Sequence, residues 1–356
     1  MKNIAEIDKN LAVETTIERE GLCFFDVDQE PFKIYGVFKE NGAYRRMPEE
    51  VAKTVSEGVY GIHCNAAGGR VRFITNSPYL AVKTEMGTWK MPHFALAGSA
   101  GYDIFADFNG VNRYAGTLVP PFAFRGEYEA VKDFEFEDDC EKIITLNMPL
   151  YSTVKKLYIG LKEGSVLKPA PGYSNEKPVV FYGSSITQGC SASKPGSCYP
   201  SILSRRFNLD YINLGFSGGA KAEDEMIEYI KGLDMSIFVL DYDHNAPDTE
   251  HLRATHSKMF QAVRETHPDL PILILPRPKY YLTAEEQVRH DIIYGTYLAA
   301  KERGDQNVYF IDGRKLMEMV GDIGTVDGTH PTDSGFFSMA KAVGDVFEEI
   351  LKKQNL

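Results

Sequence analysis

A short apolar run, Pro178-Val179-Val180, leads straight into Phe181-Tyr182-Gly183-Ser184-Ser185-Ile186-Thr187. A strand that stops at such a turn and passes into a helix can present one serine hydroxyl at a sheet edge. The first N–H groups of that helix have no partner within it, so they point at whatever the serine attacks. Serine turns are common, and this stretch alone says little. The chain end supplies what it lacks: Val326-Asp327-Gly328-Thr329-His330-Pro331 sets a carboxylate three residues before an imidazole. Serine, histidine and aspartate are the parts of nucleophilic acyl transfer, in which the imidazole takes the hydroxyl proton and the carboxylate fixes the tautomer. In a turn, the three-residue spacing lets Asp327 reach the Nδ1–H of His330.

The order of four blocks resembles the SGNH (GDSL-type) hydrolase superfamily. Gly183-Ser184-Ser185-Ile186-Thr187 comes first, then Asn213-Leu214-Gly215-Phe216-Ser217-Gly218, then Asn245, then Asp327-Gly328-Thr329-His330. The resemblance spans about residues 178–352 and implies Ser185 as nucleophile, because Ile186-Thr187 follow it as the motif requires. It implies His330 as general base, Asp327 as its partner, and an oxyanion hole built from the amides of Ser185 and Gly218 and the side chain of Asn245, with Gly219 as the fallback glycine. Two blocks depart from the pattern. Ser184 stands where the family usually has Asp, which leaves open what orients the nucleophile turn. Asp243-His244-Asn245-Ala246 replaces the usual Gly-x-Asn-Asp. Upstream, Gly101-Tyr102-Asp103-Ile104-Phe105 resembles the Gly-x-Asp-Leu-Tyr signature of a β-rich domain that precedes some of these esterases. That likeness alone suggests that Trp89, Tyr102 and Asp103 lean over the site, an idea that deleting residues 1–165 would test.

The elements that must hold these residues read in two dialects. Over residues 1–167, short apolar or aromatic runs such as Val71-Arg72-Phe73-Ile74 are punctuated by Gly, Asn and Pro, which predicts a β-sandwich or jelly roll. Only 48–57 reads as a helical turn. Residues 168–178, with Pro169, Pro171, Gly172 and Pro178, read as a linker. From 179 to 356, apolar strand runs (178–182, 211–216, 237–242, 271–275, 308–311) alternate with helical patterns, which predicts a doubly wound, parallel, five-stranded sheet of the flavodoxin-like kind. Thr283-Ala284-Glu285-Glu286 is a capping box. The loop Pro276-Arg277-Pro278-Lys279-Tyr280-Tyr281 falls on the same sheet edge as the site, where Tyr280 and Tyr281 could stack on a sugar ring or simply pack.

Composition narrows the classes. The chain has 356 residues, 43% apolar and 25% charged, with 39 basic against 50 acidic side chains for a net charge of −11. That balance disfavours nucleic acid and anionic membranes as partners. No apolar run is long enough to span a membrane. The first ten residues, Met1 to Asn10, are charged and lack an apolar core, so they do not read as a signal peptide. This points to the cytoplasm, or to a secreted or periplasmic protein whose leader has been removed. Five cysteines with no Cys-x-x-Cys read as reduced thiols, Cys190 and Cys198 being the pair that an oxidising compartment could join. Asp241, Asp243 and His244 crowd together without a regular metal spacing, and His251 and His256 read as solvated. No metal or cofactor is expected. The functional expectation is a serine ester hydrolase, and by analogy one that removes O-acetyl groups from a carbohydrate. A short-chain ester or thioester hydrolase indifferent to sugars is the alternative within the class, and a catalytically silent carbohydrate-binding protein is the alternative outside it. Oligomeric state is not legible.

Overall fold

The structure, a computed structural model, describes residues 14–88, 91–108, 110–135 and 140–354. Trp89 lies outside them. The chain forms two compact units, each with its own core. The first comprises residues 1–46, 64–172 and 193–196, and the second residues 47–63, 173–192 and 197–356. No helix among the described residues is long and apolar enough to cross a membrane.

In the second unit five parallel strands form one sheet: Val179–Gly183, Tyr211–Gly215, Ile237–Asp241, Ile272–Ile274 and Val308–Phe310. Their spatial order is second, first, third, fourth, fifth. This is the expected doubly wound arrangement, and the first and third strands are fully buried as the continuous apolar runs require. Register puts Gly183 opposite both Gly215 and Asp241, so the loops after these strands open at one edge. The order reverses beside the first strand, where open α/β sheets form their crevice. Helices Asp224–Lys231, Thr249–Thr266, Ala284–Glu302 and Asp333–Gln354 cover the sheet, and the capping box at Thr283 and Glu286 is formed.

The division of the chain is less simple than a cut at 168–178. Helices Glu49–Val55 and Glu57–Ile62 belong to the second unit, where Met47, Ala52, Val55, Val59 and Ile62 join the core of Leu214, Phe216 and Met226. The reason is an apolar face on each helix at three- or four-residue spacing, Val51, Ala52 and Val55 on the first and Val59 and Ile62 on the second. Deleting 1–165 would therefore strip the second unit of part of its core rather than isolate it.

Among the described residues, the strands of the first unit pair antiparallel. One sheet carries Leu22–Asp26, Ser152–Lys162, Tyr79–Thr88 and Glu127–Asp133; the other carries Leu167–Lys168, Arg70–Thr75, Lys142–Asn147, Tyr102–Phe108 and Val111–Leu118, with Lys33–Tyr35 added to Arg70–Thr75. Phe73, Leu80, Val82, Ile104, Ile144, Leu146, Leu157 and Ile159 from both sheets share one core, as in a sandwich. Lys168 lies in a strand pair, so the expected linker begins slightly later. None of the five cysteines is joined in a disulfide.

Candidate active site

The turn that carries Ser185, the candidate nucleophile, is built by close approach. Helix Ser185–Gln188 follows the first strand directly and lies so near the second that a Cβ on Gly215 would fall 2.2 Å from the Gln188 nitrogen. Asn213 ties it down, its Nδ2–H donating to the Thr187 carbonyl at 2.8 Å. Ser184 caps the helix: its Oγ accepts from Ile186 N–H at 3.1 Å. The hydroxyl thus fills the place where the family usually has a carboxylate, and Ser185 is left for other work. From the other side, Thr187 and Tyr199 hydroxyls donate to Asp241 Oδ2 at 2.7 and 2.9 Å. Full burial pushes the Asp241 carboxyl up to about 7, although those two hydroxyls pull it down.

Ser185 Oγ lies 2.9 Å from His330 Nε2, and His330 Nδ1 lies 2.7 Å from Asp327 Oδ2. A carboxylate can only accept, so Nδ1 carries the proton and Nε2 offers its lone pair to the serine hydroxyl. The three-residue spacing works because the intervening turn is closed. Asp327 Oδ1 accepts from Thr329 and His330 N–H at 3.0 and 2.8 Å, and Val326 N–H donates to the His330 carbonyl at 2.8 Å. Partial burial would raise the Asp327 carboxyl, but these amides and the imidazole N–H hold it down at about 2.

The expected oxyanion residues lie on two further turns after the second and third strands. Gly218 has φ +71°, a left-handed conformation that favours glycine, and a Cβ there would meet open space. Among the described residues, no acceptor takes its N–H. The fallback Gly219 is already engaged, donating to the Phe216 carbonyl at 2.9 Å. Asn245 donates from Nδ2 to the same carbonyl at 2.9 Å, which spends one of its two amide hydrogens and leaves the other. Gln188 Oε1 accepts from Ser217 N–H at 3.1 Å, tying this glycine turn to helix Ser185–Gln188.

Other expectations fall elsewhere. Asp103 is fully buried in the first unit, its carboxylate accepting from Asn147 Nδ2–H and Gly196 N–H at 2.7 Å each. It is a clasp on segment 193–196, with no surface for a substrate. Tyr102 is buried too, its hydroxyl 2.8 Å from that of Thr84. Tyr280 and Tyr281 are exposed and stand edge to face, with ring centroids 5.0 Å apart. The acidic crowd after the third strand is not open to a cation: Arg277 and Arg289 both donate to the Asp243 carboxylate, at 2.8 to 3.0 Å. Burial opposes ionisation of Asp243, but these guanidinium groups hold it well below the usual carboxylate range. Burial also depresses the His244 imidazole to about 4. His256, expected in solvent, is fully buried with Nδ1 2.9 Å from Thr296 Oγ1. It lies on the stripe of Leu252, Met259 and Val263, a signal present in the sequence.

Residues 176–350 match the GDSL-like lipase/acylhydrolase family, and residues 22–167 match the GxDLY domain, the N-terminus of SGNH-hydrolase-type esterases. No curated protein matches the chain. A structure described as a GDSL-like lipase from Bacteroides ovatus is 28% identical with a TM-score of 0.83, over 93% of this chain and 98% of that one. A salicylyl-acyltransferase from a tetracycline biosynthetic pathway is 21% identical with a TM-score of 0.75, over 94% and 98%. An acetyl xylan esterase from the rumen bacterium Butyrivibrio proteoclasticus is 14% identical with a TM-score of 0.57, over 93% and 99%.

Proposed function

Since the chain belongs to the SGNH/GDSL-type hydrolases with a GxDLY N-terminal domain and is a serine esterase, we propose that Ser185, His330 and Asp327 are its catalytic triad and that it removes short acyl groups, acetyl foremost, from a carbohydrate. The observation that carries the triad is the unbroken series from Ser185 Oγ to His330 Nε2 (2.9 Å) and from His330 Nδ1 to Asp327 Oδ2 (2.7 Å). The substrate class rests on analogy with the acetyl xylan esterase, which shares the fold.

In this mechanism Ser185 Oγ bonds to the ester carbonyl carbon while its proton passes to His330 Nε2. The tetrahedral oxyanion takes hydrogen bonds from Gly218 N–H, the second Asn245 amide hydrogen and the Ser185 amide. The bond to the sugar oxygen then breaks, and His330 returns the proton to that leaving alkoxide. Water, deprotonated in turn by His330, releases the acid and restores Ser185. Asp327, held as a carboxylate, stabilises the imidazolium in both steps.

Hydrolysis of aryl acetate, butyrate and octanoate by the wild type and by Ser185→Ala tests this. We expect acetate to be preferred, rates to fall with chain length, and the variant to lose about 10³-fold or more. Acetate release from acetylated xylo-oligosaccharides then tests the sugar. A preference for octanoate would overturn the short-acyl reading, and activity surviving in the variant would overturn the triad.

A further inference from the structure

Three segments after the third, fourth and fifth strands lie in series beside the proposed site: the asparagine turn (243–246), the tyrosine loop (276–281) and the histidine turn (321–332). Two carboxylates outside the triad join them. Asp243 holds the first to the second. Its carboxylate accepts from Arg277 N–H, Nε–H and a terminal N–H at 3.0 to 3.1 Å. Arg289 reaches the same turn from helix Ala284–Glu302, donating to the Asp243 carboxylate, the Asp243 carbonyl and the Ala246 carbonyl. Asn245 is therefore bracketed on both sides by one guanidinium. Asp243 and Arg289 are buried, so neither charge can be left without the other.

Asp322 holds the second turn to the third. Its carboxylate accepts from Tyr280 and Tyr281 N–H at 2.7 and 3.2 Å. Its carbonyl accepts from Thr325 N–H and Oγ1–H at 3.2 and 2.7 Å, and Thr325 Oγ1 accepts from Gly328 N–H at 3.0 Å. Thr332 closes the turn onto the Gly324 carbonyl through N–H and Oγ1–H, at 2.8 and 3.1 Å. Arg277 also binds Glu286 Oε1 at 3.0 Å, which fixes the tyrosine loop to the capping box of the long helix. The path from the oxyanion asparagine to the base is thus continuous: Asn245 turn, Asp243, Arg277, tyrosine loop, Asp322, His330 turn.

We propose that Asp322 is a positioning residue of the esterase site, acting with Asp243 and Arg277 as one frame that keeps His330 in register with Asn245. The proposal rests on the triad reading above. Catalysis is sensitive to such register, since displacements of about 1 Å can cost 10²-fold in rate. A frame in series predicts that cutting it at either link loosens the same loop.

The test uses Asp322→Ala, Arg277→Lys and the double variant, with aryl acetate as substrate. Each single variant should lower kcat about ten- to a hundredfold and leave KM within about twofold. The double variant should lose little more than the worse single, because the links lie in series. The low-field proton resonance of His330 Nδ1–H should shift or broaden in Asp322→Ala, which a loss of global stability alone would not cause in the folded protein. If Asp322→Ala does not fold, Asp322→Asn keeps its volume and one acceptor oxygen, and should lower kcat less in the same direction. A folded variant with wild-type kcat and an unmoved resonance overturns the frame, as do strictly additive losses. An inactive wild type, or activity surviving in Ser185→Ala, sinks the triad reading instead, so the two failures are distinguishable.

Discussion

Asp327 and Asp243 stand within one unit on turns of the proposed site, yet they live in opposite solvents. The Asp327 side chain is 40% exposed and faces one imidazole; that of Asp243 is 2% exposed and faces two guanidinium groups. Both carboxyls are held low, the first by amides and an imidazole N–H, the second by fixed positive charge. An exposed acid can share its partner with a reaction, because water screens the change of charge on the imidazole. A buried acid locked by two arginines cannot give either up without leaving a bare charge in a dry interior. The proposed mechanism therefore gives chemistry to the exposed acid, and the proposed frame gives geometry to the buried one.

Substitution at the exposed acid should give the largest effect. Asp327→Asn should lower kcat by about 10²- to 10⁴-fold with little change in melting temperature, since an amide can hold the wrong tautomer. Steady-state rates beside a thermal scan would check both halves, and a folded variant within tenfold of wild type would erase the contrast. Asn245→Ala probes the proposed oxyanion donor on the turn that Asp243 and Arg289 hold. A loss of about 10²- to 10³-fold in kcat is expected, and a loss under about threefold would remove Asn245 from the oxyanion hole.

The smallest effect concerns stability alone. Burial holds His256 neutral by depressing its imidazole to about 4. The unfolded chain, titrating near 6.5, takes up that proton first. Stability from this group is therefore present above about pH 6.5 and lost as pH falls toward 4, by at most about 3 kcal/mol. Asp241 opposes it, because a carboxyl raised to about 7 makes the folded state the better proton binder over much of the same range. Denaturant midpoints at pH 7 and 5 should show a smaller acid-side loss in His256→Gln than in wild type. An equal loss would mean that another group dominates.

How much was legible depends on how far each signal reaches along the chain. The five parallel strands announced themselves as local apolar runs, and the capping box at Thr283 is a four-residue pattern. Asp327 and His330 are three apart and meet as read. The Arg289–Asp243 pair spans 46 positions and has no local signature. His256 was readable in principle, since it sits on its helix's apolar stripe, but histidine is a poor announcer of burial. Asp103 shows the opposite error: a motif residue taken as a substrate contact proves to be a buried clasp, because a family signature records what the fold needs as readily as what the reaction needs.

The interleaving of the chain has a consequence for synthesis. Helices Glu49–Val55 and Glu57–Ile62 leave the ribosome well before the strands beginning at Val179 that complete their core. Until those strands emerge, the apolar faces of Val55, Val59 and Ile62 lack the core they pack into. An apolar stripe made this early has its partners only once the strands from Val179 onward are made, and such a surface is what chaperones shield on nascent chains. Neither unit is encoded as one uninterrupted stretch, so a gene fragment cut at the apparent linker would not transplant the hydrolase as a working cassette.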